Sequence, residues 1–171
     1  MTVSNVVKVR RDGQITLSDN GGANTLVVDY EGDGSFSFDN GAGHAERTVI
    51  MDRGSIVGLR KANDVVGSLS FAINMRAFTN TAVAPAVLTI TDVLNKAGAA
   101  AAWVSTGGSG FEQYLLDVKI TIEGTDHGDS HDHTATFSKV LLTWDFSEGD
   151  PNVINISGEV YGGQPVYTGQ Q

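Results

Sequence analysis

The chain has 171 residues, 40% of them hydrophobic, with 21 glycines, 3 prolines and no cysteine. That length and apolar content support one buried core in one domain, residues 1–171, and the missing cysteines exclude disulfides, thiolate catalysis and cysteine-ligated zinc. With 11 basic against 20 acidic side chains, net −9, the chain lacks the basic footprint of a protein that grips nucleic acid by its phosphates, since Arg10-Arg11 and Arg60-Lys61 are too short to make one.

Many glycines and few prolines point to frequent turns and a β-rich design. The first residues, MTVSNVVKVRRDGQ, have no long apolar core and no cleavage pattern, so no secretory signal is expected. No window approaches the ~20 apolar residues of a membrane helix, so no membrane insertion is expected.

In chain order, residues 1–11 read as a mobile arm with modest strand character. Ile15 and Leu17 open the first clear strand, and Asp19-Asn20-Gly21-Gly22 turns it. Leu26, Val28 and Tyr30 alternate next, Gly32-Asp33-Gly34 turns again, and Phe36 and Phe38 alternate with serines. Asp39 to Glu46 is a polar, glycine-rich loop. Strand character returns from Arg47 to Leu59, interrupted at Gly54-Ser55, and Asn63-Asp64 turns the chain. Leu69, Phe71, Ile73 and Met75 then share one face, with Ser68, Ser70, Ala72, Asn74 and Arg76 opposite.

The stretch from Thr79 to Gly110 differs. Pro85 limits pairing, and Thr91 to Ala97 reads as one short helix. Thr89 or Thr91 caps it, Asp92 suits its positive end, and Lys96 with Gly98 stops it. Trp103 is an apolar anchor and Thr106 to Gly110 a flexible link. Phe111 to Glu123 reads as a long strand, with Leu116, Val118, Ile120 and Ile122 against Asp117, Lys119, Thr121 and Glu123. After the loop from Gly124 to His133 come two more alternating runs. Val140, Leu142, Trp144 and Phe146 face one way in the first; Ile154, Ile156 and Val160 do so in the second. Ser147 to Asn152 joins them as a hairpin. The sum is mainly β, a sandwich or barrel-like fold with one short flanking α-helix, and residues 163–171 form a C-terminal tail.

Candidate chemistry is sparse. Asp126 to His133 places three histidines and three aspartates in eight residues, and His127, His131, His133 and Asp129 are the side chains that would hold a divalent metal. The spacing matches no established zinc pattern, so a hydrated hairpin tip is the expected reading, with no metal and no cofactor. No Gly-x-Ser-x-Gly elbow, phosphate loop or defined carboxylate pair supports an enzyme.

The segment Trp144-Asp145-Phe146-Ser147-Glu148-Gly149-Asp150-Pro151-Asn152, followed by Ile156-Ser157-Gly158 and Tyr161-Gly162, resembles the C-terminal part of the tail tube (major tail) proteins of long-tailed bacteriophages. The length, acidic balance and single helix are similar too. The resemblance implies a structural virion protein that stacks as rings of six into a tail tube, assembled in the host cytoplasm and carried in the virion tail. DNA would pass through its acidic lumen without specific binding. The implied partners are other copies of the chain and the tail tip or initiator, tape-measure and tail terminator proteins.

On that resemblance, contacts between rings are expected from the arm, including Val9, Arg10 and Arg11, and from the loop carrying Asp39, Asn40, His44 and Glu46. The lumen would be lined by the face carrying Ser68, Ser70, Asn74 and Arg76, or by Asp117, Thr121 and Glu123. Two other readings stay open: the tube subunit of a contractile injection system, and a monomeric β-sandwich binding carbohydrate or a cell surface. The second would need Trp103, Tyr114, Tyr161 or Tyr167 exposed.

Overall fold

Alternation of apolar and polar side chains accounts for most of the architecture in a computed structural model of the chain, which describes residues 13–29, 36–40, 45–75, 87–124 and 131–169. Val9, Arg10, Arg11, His44, Arg76, His127, Asp129, the turn at 32–34 and the loop around Pro85 lie outside the described residues. The elements are β1 (Gly13–Ser18), β2 (Thr25–Asp29), β3 (Phe36–Asp39), β4 (Arg47–Asp52), β5 (Ser55–Lys61), β6 (Gly67–Asn74), α1 (Ile90–Asn95), β7 (Leu116–Ile122), β8 (His133–Ser147), β9 (Val153–Val160) and β10 (Val166–Thr168). The fold is mainly β with one short α-helix, as the sequence predicts.

The main sheet is antiparallel, in the order β2-β1-β7-β8-β9-β6-β3, with β10 added beside β8. β8 is its axis. The first half of β8 pairs with β7 and β10, the second half with β9. Between the halves, Leu116 pairs with Val140 and Val118 with Phe137, so Ser138 and Lys139 together face Asp117. This is a β-bulge. Lys139 takes a left-handed conformation, φ 54°, and its N–H donates to Asp117 Oδ1 at 3.0 Å. The N–H groups of Tyr161 and Gly162 donate to the carbonyls of Lys139 and Ser138 at 3.1 and 3.0 Å.

The bulge reverses the phase of the strand. Phe137 is buried before it and Val140 after it, which the even-numbered alternation from Val140 to Phe146 does not reveal. Aromatic contacts then close the fold: Phe137 lies 5.8 Å from Phe36 and 4.6 Å from Phe38, centroid to centroid. Edge strand β3 is thereby laid over the first half of β8, and the sheet wraps around one core of Ile15, Leu17, Phe71, Val118, Ile154 and Ile156 with their neighbours. Replacing Asp117 by alanine leaves the bulge N–H without its charged acceptor. We expect a loss of about 1–2 kcal/mol in urea unfolding, and a smaller loss for Asp117→Asn, which keeps an acceptor oxygen.

The helix begins one residue earlier than the sequence predicts. Thr89 is its cap: the Asp92 N–H donates to Thr89 Oγ1 at 3.2 Å and the Thr89 N–H returns to Asp92 Oδ2 at 3.1 Å, a reciprocal box that Thr91 cannot make. Lys96, φ 50°, closes the helix ahead of Gly98. A separate 3₁₀ turn follows, Gly98–Ala100, and Trp103, 4% exposed, plugs the core as expected. The long strand predicted from Phe111 starts only at Leu116. The reason is local: the Leu115 N–H donates to Ser105 Oγ and its carbonyl accepts the Thr106 N–H, so its backbone is held by a loop rather than a ladder. The C-terminal tail is not free either, since 166–168 form β10 on β8.

Candidate functional site

Four strands, β3, β6, β9 and the second half of β8, lie side by side and bury one face. Their other face is polar because the two-residue period places every second side chain there. The register sets these side chains in rows. Ser37, Ser70, Ser157 and Thr143 form one hydroxyl row across all four strands. Ser37 Oγ and Ser70 Oγ are 2.8 Å apart, and Thr143 Oγ1 donates to the Ser157 carbonyl at 3.3 Å. The adjacent row is Asp39, Ser68, Glu159 and Leu141. On the far side Ala72, Asn155 and Asp145 align, and Asn155 Nδ2 donates to Asp145 Oδ2 at 3.0 Å. A shallow groove of about 480 Å³ follows the first two rows.

The outward positions of these strands carry Asp39, Asp145 and Glu159 and no lysine or arginine. Such a face has hydroxyls to hold water and negative charge to repel a polyanion. It offers no nucleophile–base pair.

The structure separates the residues proposed for a lumen. Ser68, Ser70 and Asn74 sit on this face along β6. Asp117 and Thr121 lie on β7, within the other half of the sheet, and Glu123 follows its end. Asp117 is also committed to the bulge. Asp39 and Asn40, read as inter-ring residues, end β3; Asn40 Nδ2 donates to Gln164 Oε1 at 2.8 Å. Glu46 lies at the base of β4, accepting from Asn63 Nδ2 at 3.0 Å. The residues the sequence did not join to the site are Ser37, Thr143, Asp145, Asn155, Ser157 and Glu159. Their polar alternation was visible, but not which strands lie next to one another.

A second surface stands apart. β4 and β5 form their own two-stranded sheet, turned at Arg53 and Gly54, both with positive φ. Val49 faces Leu59 and Met51 faces Ile56, and these four side chains are 48–71% exposed. A two-stranded ribbon is marginal on its own in water, and contiguous exposed apolar side chains of this kind mark an interaction surface.

The remaining candidates do not converge. His133 starts β8 and His131 lies two residues ahead of it, and among the described residues no group of three histidine, aspartate or glutamate side chains is placed to hold a metal. Trp103 is buried and Tyr114 half-buried, so a carbohydrate platform would be left with Tyr161 and Tyr167.

No protein-family model matches the chain, and no curated protein sequence does so. Solved structures do share its fold. A chain of the anti-feeding prophage (AFP) baseplate, determined by cryo-EM with 6-fold symmetrisation, superposes with a TM-score of 0.56 at 12% identity, covering 97% of this chain and 98% of that one. A chain of the structure of the AFP tube-terminating cap gives 0.53 at 10% identity, covering 99% and 96%. One from the sheath–tube complex of an extracellular contractile injection system, in the extended state, gives 0.49 at 12% identity, covering 92% and 89%. Over nearly its whole length, then, this chain has the fold found in chains of the AFP baseplate and cap structures.

Proposed function

We propose that the chain is a structural, non-enzymatic subunit of a tail-like particle, and that it self-associates into stacked rings forming a tube. The observation that carries this reading is the four-stranded face: hydroxyl rows flanked by Asp39, Asp145 and Glu159, with no lysine or arginine at the described outward positions of the paired strands to hold a phosphate as cargo slides past. In the tube this face lines the lumen, which favours the lumen residues on β6 over those on β7. The fold shared with the AFP chains supports the assembly reading, and the 6-fold symmetry of that baseplate supports rings of six. Those neighbours come from a particle with a baseplate and a tube-terminating cap, which favours a tube-bearing particle over a monomeric binding module. In a phage tail the same surface would conduct DNA. An initiator, a tape-measure protein and a terminator would be the partners, with assembly in the producing cell's cytoplasm.

The test is negative-stain electron microscopy of the purified protein at high concentration. Rings or hollow tubes with a regular axial repeat are expected. A protein that stays monomeric at every concentration and ionic strength, and also when offered preformed tube ends, would overturn the proposal.

A further inference from the structure

The two most conspicuous projections of the molecule are opposite in charge and sit at opposite ends of the same strands. The β4–β5 hairpin, residues 47–61, carries four of the chain's 11 basic residues (Arg47, Arg53, Arg60, Lys61) and one of its 20 acidic ones (Asp52), a net +3; the remainder of the chain is therefore −12. Its exposed apolar strip is Val49, Met51, Ile56 and Leu59. The last 32 residues, 140–171, hold Asp145, Glu148, Asp150 and Glu159 and no lysine, arginine or histidine. Three of these surround the turn between β8 and β9, beside Phe146, which is 42% exposed.

The topology sets the distance between them. β6 starts at Gly67, after a link of residues 62–66 from the hairpin and opposite Val160, and reaches the acidic turn at Asn74, opposite Val153; just beyond, the Met75 N–H donates to the Asn152 carbonyl at 2.9 Å. The eight residues of β6, about 25 Å, separate the end that follows the hairpin from the end at the acidic turn. Other exposed apolar positions fit a basic partner less well. Phe111 and Tyr161 already have the Lys139 ammonium 5.3 Å from the Phe111 ring, and β10, with Val166 and Tyr167, carries no carboxylate.

We infer that the basic, apolar β4–β5 hairpin of one copy docks on the acidic β8–β9 turn of the next copy, head to tail along the strand direction. This rests on the self-assembly reading and names the contact and the force behind it. The two patches differ, so the contact is heterologous and leaves both ends open for growth. Apolar side chains supply the burial, while charge sets the partner and the rate. Lys61 also meets Asp64 of its own chain at 2.5 Å, an exposed pair of little energetic weight that does not prevent docking.

The test is reciprocal charge reversal. Variant one is Arg60→Glu with Lys61→Glu; variant two is Glu148→Lys with Asp150→Lys. Each alone is expected to raise the concentration needed for assembly about tenfold or more, because like charges then meet. An equimolar mixture is expected to co-assemble, since each variant supplies the partner the other lacks. That rescue also shows that both are folded. Wild-type assembly is expected to weaken as salt rises from 50 mM to 0.5 M. If the wild type assembles but either variant assembles equally well, or the mixture fails to co-assemble, the docking contact is overturned and the tube reading stands. If the wild type never associates, the tube reading itself falls, and this contact with it.

Discussion

Gly162→Ala is expected to lower the unfolding free energy by about 3 kcal/mol, a large change for a single methyl group. A Cβ built at Gly162 falls on the Ser138 carbonyl oxygen, 2.7 Å from its carbonyl carbon and 2.9 Å from its Cβ. These are backbone and near-backbone atoms with no flexible end to move away. Overpacking of this kind costs about 1–3 kcal/mol, and separating the strands also loses the Gly162 N–H bond to Ser138, worth about 1 kcal/mol more. The neighbouring Gly163 is the control. Its built Cβ meets nothing within 4 Å, and only its φ of +82° opposes a side chain, so Gly163→Ala is expected to cost about 1–2 kcal/mol. Urea midpoints at equal slope separate the two. Equal effects would mean that the close approach at the bulge contributes nothing. The bulge also sets which side chains of β8 face outward, so Gly162→Ala is expected to impair assembly in parallel.

Asp19→Ala is expected to cost a similar amount, about 3 kcal/mol, and to change the pH profile of stability. The Asp19 carboxylate is 2% exposed. It accepts the Asn24 N–H at 3.0 Å, Asn24 Nδ2 at 2.7 Å and the Val104 N–H at 3.3 Å. It thus pins the β1–β2 turn to the segment after Trp103, and its removal leaves three donors without their acceptor. Burial by itself would raise the pKa, but the bonds from the Asn24 side chain, the Asn24 backbone and Val104 outweigh it and hold the group below 3.8.

A group depressed in the folded state contributes its full stabilisation above the unfolded value and loses it as pH falls through the folded one. Wild-type stability is therefore expected to drop below about pH 4, and Asp19→Asn to show a flatter acid limb in urea melts at stepped pH. A second readout comes from Tyr114. Burial first, and the Asp19 charge second, push its phenol up to about 12. Asp19→Asn is expected to lower that value in an ultraviolet titration, which a merely local loosening of the turn would not do through charge.

The sequence by itself determined what depends on near neighbours. Alternation over six to eight residues marked β1, β6, β9 and most of β7 with the correct faces, because side-chain direction in a strand is a property of the strand alone. Gly21, Gly22 and Gly54, all at positive φ, marked turns, and Thr89, Asp92 and Lys96 marked the helix to within a residue or two. Tertiary structure decided the rest, because each remaining feature depends on groups far apart in the chain.

The phase reversal in β8 needs Asp117 and Gly162, 22 and 23 residues from the bulge at Lys139. A strand as short as β10 is too brief to show a period and exists only because β8 offers it an edge. The hydroxyl row is assembled by pairing β3, β6 and β9, which brings Ser37 beside Ser70 and Ser70 beside Ser157. The β4–β5 hairpin makes the point most plainly. Its apolar side chains read like those of any buried strand, and only the packing of the other elements, which leaves Val49, Met51, Ile56 and Leu59 in solvent, turns them from core residues into a surface that calls for a partner.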